Sequence, residues 1–324
     1  MRDQHAEAGG STRTKIEPGP LLAEPVEVMG VSADEAFSAW CEQVAMRTDD
    51  RMRRVLGARW MPAKLHDAMS YALFGGGKRV RPLLVSACFE GVGGNGDTHL
   101  DAAASVEMIH AFSLVHDDLP ALDDDDLRRG RPTAHVAFGE AMAILAGDGL
   151  MSLAFEALAE VGDPVLAGKL VRELSRGTTS MIGGQVLDTL GGFGEIDDER
   201  QRVQLIHENK TGALILASCR MGAIAGGADE ERIDLCTTFG TSIGLMFQIV
   251  DDLLDVEQSS EHLGKRTGKD ADAGKRTWPG VLGVERARGE VERLHRQASD
   301  VCDRLGPASV HMRTLNDKLA IRTK

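Results

Sequence analysis

Six aspartates, Asp117, Asp118, Asp123, Asp124, Asp125 and Asp126, fall in one short run. An apolar helical stretch (Ala102, Val106, Ile109, Phe112) feeds into them and Arg128 and Arg129 follow. Clustered carboxylates repel one another, so a fold that keeps them together must supply cations. A second group, Asp251, Asp252 and Asp255, interrupts an apolar run from Ile243 to Leu254. Carboxylates in such surroundings are costly unless they bind something. Either group alone has an ordinary explanation as a solvated acidic turn or a surface motif. Together, each at the end of an apolar helix, they point to one cavity lined by opposing carboxylates.

The rest of the chain reads as helix after helix. Ser32 and Asp34 are candidate caps for a first helix carrying Ala36, Phe37, Trp40, Val44 and Met46. A second runs from about Pro62 to Phe74 and stops at Gly75-Gly76-Gly77. A third follows Pro82, and a fourth runs from about His99 into the acidic loop. Further helices are predicted over roughly 136–161, 164–183, 198–225, 229–256 and 286–304, with a short one near the C-terminus. No period-two strand series is present. Aromatic residues are 4% of the chain, with Tyr71 the single tyrosine, so Ala, Leu and Met carry the core. That composition favours an all-α fold over a sandwich or barrel. Residues 1–31 are polar, aperiodic and rich in Gly and Pro, and read as a disordered tail. No Pro/Ser-rich linker follows, so residues 32–324 are expected to form one domain.

A net charge of −13 gives no global basic face for nucleic acid. The five cysteines are scattered and never in a CxxC, against a disulfide framework or structural zinc site and in favour of a reduced, cytoplasmic setting. No apolar run reaches the roughly 18 residues of a transmembrane segment, and no signal pattern opens the chain.

Carboxylate oxygens are hard ligands that suit Mg²⁺, and Mg²⁺ usually works with substrate phosphates. Asp251 and Asp255, four residues apart, share a helix face with Gln248. The basic half of such a site is available locally. Gly75-Gly76-Gly77-Lys78-Arg79-Val80-Arg81-Pro82 puts Lys78 and Arg81 after a glycine turn, without P-loop spacing. Lys210-Thr211-Gly212 places a lysine inside an apolar helix, and Gly183-Gly184-Gln185 with Asp188 places polar groups in another. Gly264 to Asp270 reads as a basic flap carrying Lys265. Each feature is weak alone; together they compose a Mg²⁺-diphosphate site with an apolar interior.

In this order, GGGKRVRP, HDDLPALDDDDLRRGRPT, GGQVLD, NKTG, FQIVDDLLD and GKRTWP resemble the short-chain trans-isoprenyl diphosphate synthases of the polyprenyl synthetase family, over roughly residues 34–324. The resemblance implies an isoprenoid synthase fold: a single-domain bundle of ten or more helices around a central apolar cavity, homodimeric. It implies Mg-dependent condensation of isopentenyl diphosphate with an allylic diphosphate, using three Mg²⁺ ions. Asp117, Asp118 and Asp123 would serve the metals on one side, and Asp251, Asp252 and Asp255 on the other. Lys78, Arg81, His110 and Arg129 would hold isopentenyl diphosphate. Arg128, Lys210 and Lys265 would hold the allylic diphosphate. Thr211, Gln185 and Gln248 would face the developing cation, and Lys275 or the chain end near Arg322 and Lys324 would help close the site. No side-chain nucleophile is required, and His116 is as well explained by a structural role as by a catalytic one.

Phe112 precedes Asp117 by five residues, about 7.5 Å along a helix. In the family that position helps to floor the tail pocket, and an aromatic there favours farnesyl diphosphate, with geranylgeranyl diphosphate the alternative. Ordinary core packing explains Phe112 equally well, because five residues turn it off the Asp117 face. A terpene cyclase would carry one aspartate motif and more aromatics. A non-catalytic synthase subunit would have lost one of the motifs.

Overall fold

The computed structural model describes residues 32–262 and 277–321. The tail at 1–31, Lys265 and the rest of the proposed flap, Lys275, Arg322 and Lys324 lie outside the described residues.

Ser32 starts the first helix, α1 (Ala33–Gly57), through a capping box. Its Oγ accepts the Glu35 N–H at 3.2 Å, and Glu35 Oε2 accepts the Ser32 N–H at 2.8 Å. There follow α2 (Ala63–Leu73), α3 (Val80–Gly91) and α4 (Leu100–Asp117). The acidic run leads into a two-residue hairpin, β1 (Leu127–Arg128) against β2 (Arg131–Pro132), the strand content among the described residues. The predicted helix at 136–161 is two, α5 (Ala134–Phe138) and α6 (Glu140–Ala159), because Gly139 takes φ 86° between them. Asp163 caps α7 (Pro164–Thr189) by accepting the Val165 N–H at 2.9 Å, with proline in the first helical turn. The predicted helix at 198–225 is α8 (Glu199–Ile206), a π-helical turn (His207–Gly212) and α9 (Ala213–Ala225). α10 (Glu230–His262) runs beyond its predicted end at 256, so the second acidic group lies within a helix rather than at its terminus. α11 (Trp278–Leu282), α12 (Val284–Leu305), a 3₁₀ turn (Pro307–Ser309) and α13 (Val310–Ala320) complete the bundle.

The core is aliphatic and Met-rich, as the composition required. One part gathers Met52, Met69, Met108, Ile109, Leu150 and Leu214 about α4, α6 and α9. The other gathers Phe239, Ile243, Met246, Trp278, Val291 and Leu294 about α10 and α12. α4 is buried on most of its circumference, whereas α12 buries one stripe (Ala287, Val291, Leu294, Ala298, Val301). By length and composition alone α6 and the Glu230–Val256 part of α10 are apolar enough to cross a membrane, a test that core helices also pass. In the fold, 44% and 61% of their most apolar windows are buried. The cysteines are free, with Cys88, Cys219, Cys236 and Cys302 buried.

Candidate functional site

α4 delivers the first acidic group and ends at Asp117. The chain then leaves regular helix around Pro120, as a proline in that position dictates. It curls back, so the Asp123 N–H donates to the Asp117 carbonyl at 2.8 Å and the Asp125 N–H to the Asp118 carbonyl at 3.3 Å. Asp123 thereby comes to bear on the Asp117 carboxylate, which has no hydrogen-bond or ion-pair partner among the described residues. Burial lifts the Asp117 pKa to about 6, Asp123 and Asp118 add to the rise, and Lys210 and Arg128 oppose it.

Asp118, also expected to serve the metals, has a different environment. One residue further round, it is 3% exposed, and its Oδ1 receives Arg128 Nε at 2.7 Å and Nη2 at 2.6 Å. It lines a separate small pocket with Arg128 and Arg129. Its charge is committed to fixing Arg128.

A cavity of about 420 Å³ lies alongside α4 and α7. Its polar lining includes Arg81, His110, His116, Asp117, Gln185, Lys210 and Thr211, and its apolar lining includes Phe112, Met181, Ile182 and Val186. Seven of the proposed site residues therefore meet around one space, from four separate stretches of sequence. α7 continues through Gly183-Gly184 without breaking. A Cβ on Gly184 would sit 2.5 Å from Lys210 Cα, so only glycine lets the π turn seat on α7. Such turns are rare and recur at functional sites. This one sets Lys210 Nζ 2.6 Å from Asp188 Oδ2. Lys210 draws the Asp117 pKa down while Asp188 raises that of Asp252, so this ion pair stands between the two acidic groups. Gln185 donates Nε2 to Thr189 Oγ1 at 3.2 Å, and its buried Oε1 has no partner.

In the second group, Asp251, Asp255 and half-buried Gln248 follow the shared-face spacing on continuous helix. Asp252, also expected to serve the metals, turns inward. It is 8% exposed, and its Oδ2 accepts the Trp278 N–H at 2.7 Å and lies 3.5 Å from His207 Nε2. Burial raises it to about 7, against the Trp278 hydrogen bond and with Asp255, Asp251 and Asp188 adding to the rise. It anchors the chain at the start of α11 to α10.

The basic loop holds a residue that sequence reasoning passed over. Arg79 takes φ 50° and turns back into the bundle. Its guanidinium donates to Asp49 Oδ1 at 2.9 Å, Glu107 Oε1 at 2.9 Å and the Leu73 carbonyl at 2.8 Å. Lys78 and Arg81 flank that anchor. Arg129, also at positive φ (55°), donates to the Gly76 carbonyl and pins the glycine turn to the hairpin. Burial, together with Arg81, Arg129 and Arg128, drives the His110 pKa well below its usual value. Burial and the surrounding arginines thus disfavour the charged form of His110.

Among the described residues no three His, Cys, Asp or Glu side chains form a ready-made metal cage. That suits Mg²⁺, which commonly takes one or two carboxylates and completes its shell with water and substrate phosphate. The fit rests on Asp117: a half-buried carboxylate without a hydrogen-bond or ion-pair partner among the described residues, beside a second carboxylate.

The polyprenyl synthetase family model matches residues 62–303. A heterodimeric geranylgeranyl pyrophosphate synthase large subunit from Arabidopsis thaliana is 48% identical over 247 residues, covering 74% of this chain and 67% of its own. The solved structure of an FPP/GFPP synthase from Zymomonas mobilis is 34% identical with a TM-score of 0.77, covering 88% of this chain and 99% of that one. A geranylgeranyl pyrophosphate synthetase from Pyrococcus horikoshii superposes with a TM-score of 0.79 at 29% identity, covering 89% and 99%.

Proposed function

This chain belongs to the polyprenyl synthetase family and is a prenyltransferase, and from that premise we propose that it joins isopentenyl diphosphate head to tail to dimethylallyl and geranyl diphosphate, with Mg²⁺, to make farnesyl diphosphate. The observation that carries the reading is the half-buried Asp117, without a hydrogen-bond or ion-pair partner among the described residues, in the wall of a cavity that combines cationic and apolar side chains. Asp117 and Asp123, opposite Asp251 and Asp255, would hold the metal. Bound there, Mg²⁺ would act as a Lewis acid that neutralises the departing diphosphate.

The protein's own groups do the rest. Lys210, fixed by Asp188, and Arg128, fixed by Asp118, grip the allylic diphosphate. Lys78, Arg81, Arg129 and His110 hold the isopentenyl diphosphate. The allylic carbon–oxygen bond ionises, and the isopentenyl double bond attacks the freed carbon. Loss of one proton then restores a double bond, and diphosphate leaves. Thr211 and Gln185 turn neutral oxygens toward the developing cation, and the apolar walls exclude the water that would quench it. The partnerless Gln185 Oε1 suits that role.

Phe112 in the cavity wall supports the farnesyl product. The curated relatives, with names such as geranylgeranyl pyrophosphate synthase 11 of Arabidopsis thaliana, support the longer one. Exposed Ile144 and Leu145 on α6 support a homodimer. The test incubates the purified chain with Mg²⁺, labelled isopentenyl diphosphate and, separately, dimethylallyl, geranyl and farnesyl diphosphate, and then separates products by length. Farnesyl diphosphate that accumulates and is not itself extended is the expected result. Its extension to geranylgeranyl diphosphate overturns the product assignment alone, and no product from any primer overturns the reaction. Phe112→Ala is expected to lengthen the product.

A further inference from the structure

We propose that His116 and Gly147 are positioning residues that set product length by fixing the ring of Phe112; the inference rests on the chain-elongation reading above. Phe112 and His116 are one helical turn apart on α4, and both line the cavity. Their rings meet edge to face, with centroids 4.9 Å apart and planes at 73°. Phe112 therefore does not choose its position alone. The imidazole in turn is held by α6, where its Nε2 lies 3.1 Å from the Ile144 carbonyl. That places the proton on Nε2 in the neutral ring, since a carbonyl can only accept.

The imidazole reaches that carbonyl because residue 147 has no side chain. A Cβ on Gly147 would lie 2.5 Å from His116 Cδ2 and 3.1 Å from Cε1. Gly147 is buried in the middle of α6, where glycine costs helix stability of about 1 kcal/mol relative to alanine. A close approach by a neighbouring ring is what makes it necessary there. The order of support runs from Gly147, which admits the imidazole, through the Ile144 carbonyl, which orients it, to Phe112, which borders the space left for the growing tail.

Two substitutions separate this from ordinary packing. His116→Ala removes the support and is expected to shift products at least threefold toward the longer chain. Gly147→Ala expels the ring from its seat toward the cavity it also lines, and is expected to shift them at least threefold toward the shorter. The decisive comparison is His116→Ala added to Phe112→Ala. If His116 acts through Phe112, the double variant gives the same product lengths as Phe112→Ala alone. Unchanged lengths in both single variants, with folding verified by circular dichroism, overturn the proposal. So does an additive shift in the double variant. If Gly147→Ala does not fold, the His116 and Phe112 series decides alone. A wild-type chain that makes no product from any primer refutes the reaction itself, a result distinct from normal turnover with unmoved lengths.

Discussion

Arg79→Met tests whether the basic loop is held from beneath. The guanidinium it removes has two carboxylate partners of unequal weight. Glu107 is 3% exposed, and its second oxygen already lacks a hydrogen bond. Without Arg79 it loses its ion-pair partner and is offset only by the more distant charges of Arg81 and Arg129, a change that costs up to about 3–5 kcal/mol. Asp49, with 26% of its side chain exposed, returns largely to water and adds at most about 1 kcal/mol. The total is a large fraction of the roughly 5–15 kcal/mol that holds a domain together. Urea unfolding of wild type and variant reads it directly as a lower midpoint. Adding Glu107→Leu to the variant should recover most of the loss, because removing both partners of a buried pair is often nearly neutral. Lys78 and Arg81 flank Arg79, so a less damaged variant should show a raised KM for isopentenyl diphosphate and a smaller change for the allylic primer. A loss under about 1 kcal/mol, or a double variant no better than the single, refutes the anchor.

Asp117→Ala and Asp251→Ala should each reduce turnover by about a hundredfold or more with the fold intact, and chelating divalent metal from the wild type should do the same; retained turnover in both variants contradicts the metal assignment. Asp252→Asn should act on stability instead. A carboxyl raised to about 7 makes the folded state bind more protons than the unfolded between about 4 and 7, so the charge destabilises at high pH. The metal-free Asn variant should therefore exceed wild type at pH 8 by about 2–4 kcal/mol, with the gap closing on acidification; a gap independent of pH would refute it. His99, stacked on Phe89 and held at about 4 by burial, has the opposite sign. Its stabilisation is complete above pH 6.5 and is lost as pH falls toward 4, by about 3 kcal/mol, and His99→Gln should remove that slope from the unfolding curves.

Apolar periodicity was sufficient to reveal the helices, because burial of one face is what periodicity records. Its errors fall where backbone geometry overrides pattern. Gly139 splits one predicted helix, and nothing in a hydrophobic pattern marks a positive φ. The π turn at His207–Gly212 keeps helical spacing closely enough to be invisible, although Lys210 and Gly184 both signalled something unusual there. Arg79 was overlooked because Lys78 and Arg81 look like ligands and a buried arginine between them looks the same. Only its three partners, from α1, α4 and the end of α2, distinguish anchor from ligand.

The two Asp-Asp pairs show why motif reading stops one step short of roles. Adjacent residues on a helix point about 100° apart, so the members of each pair face different surroundings. Asp117 faces the cavity and has no hydrogen-bond or ion-pair partner among the described residues, whereas Asp118 faces the hairpin and holds Arg128. Asp252 faces the bundle and secures Trp278, while Asp251 and Asp255 keep the face assigned to metal. The second aspartate of each pair thus fixes an element that the site depends on: a cationic side chain in one case, the start of α11 in the other. A carboxylate that anchors structure and one that binds a cation are equally indispensable to activity, so loss of turnover alone cannot tell them apart. The metal dependence of unfolding can: both Asp117 and Asp252 are raised in the metal-free chain, so neutralising either should add stability at high pH, but only the loss of Asp117 should remove the further stabilisation that added Mg²⁺ gives.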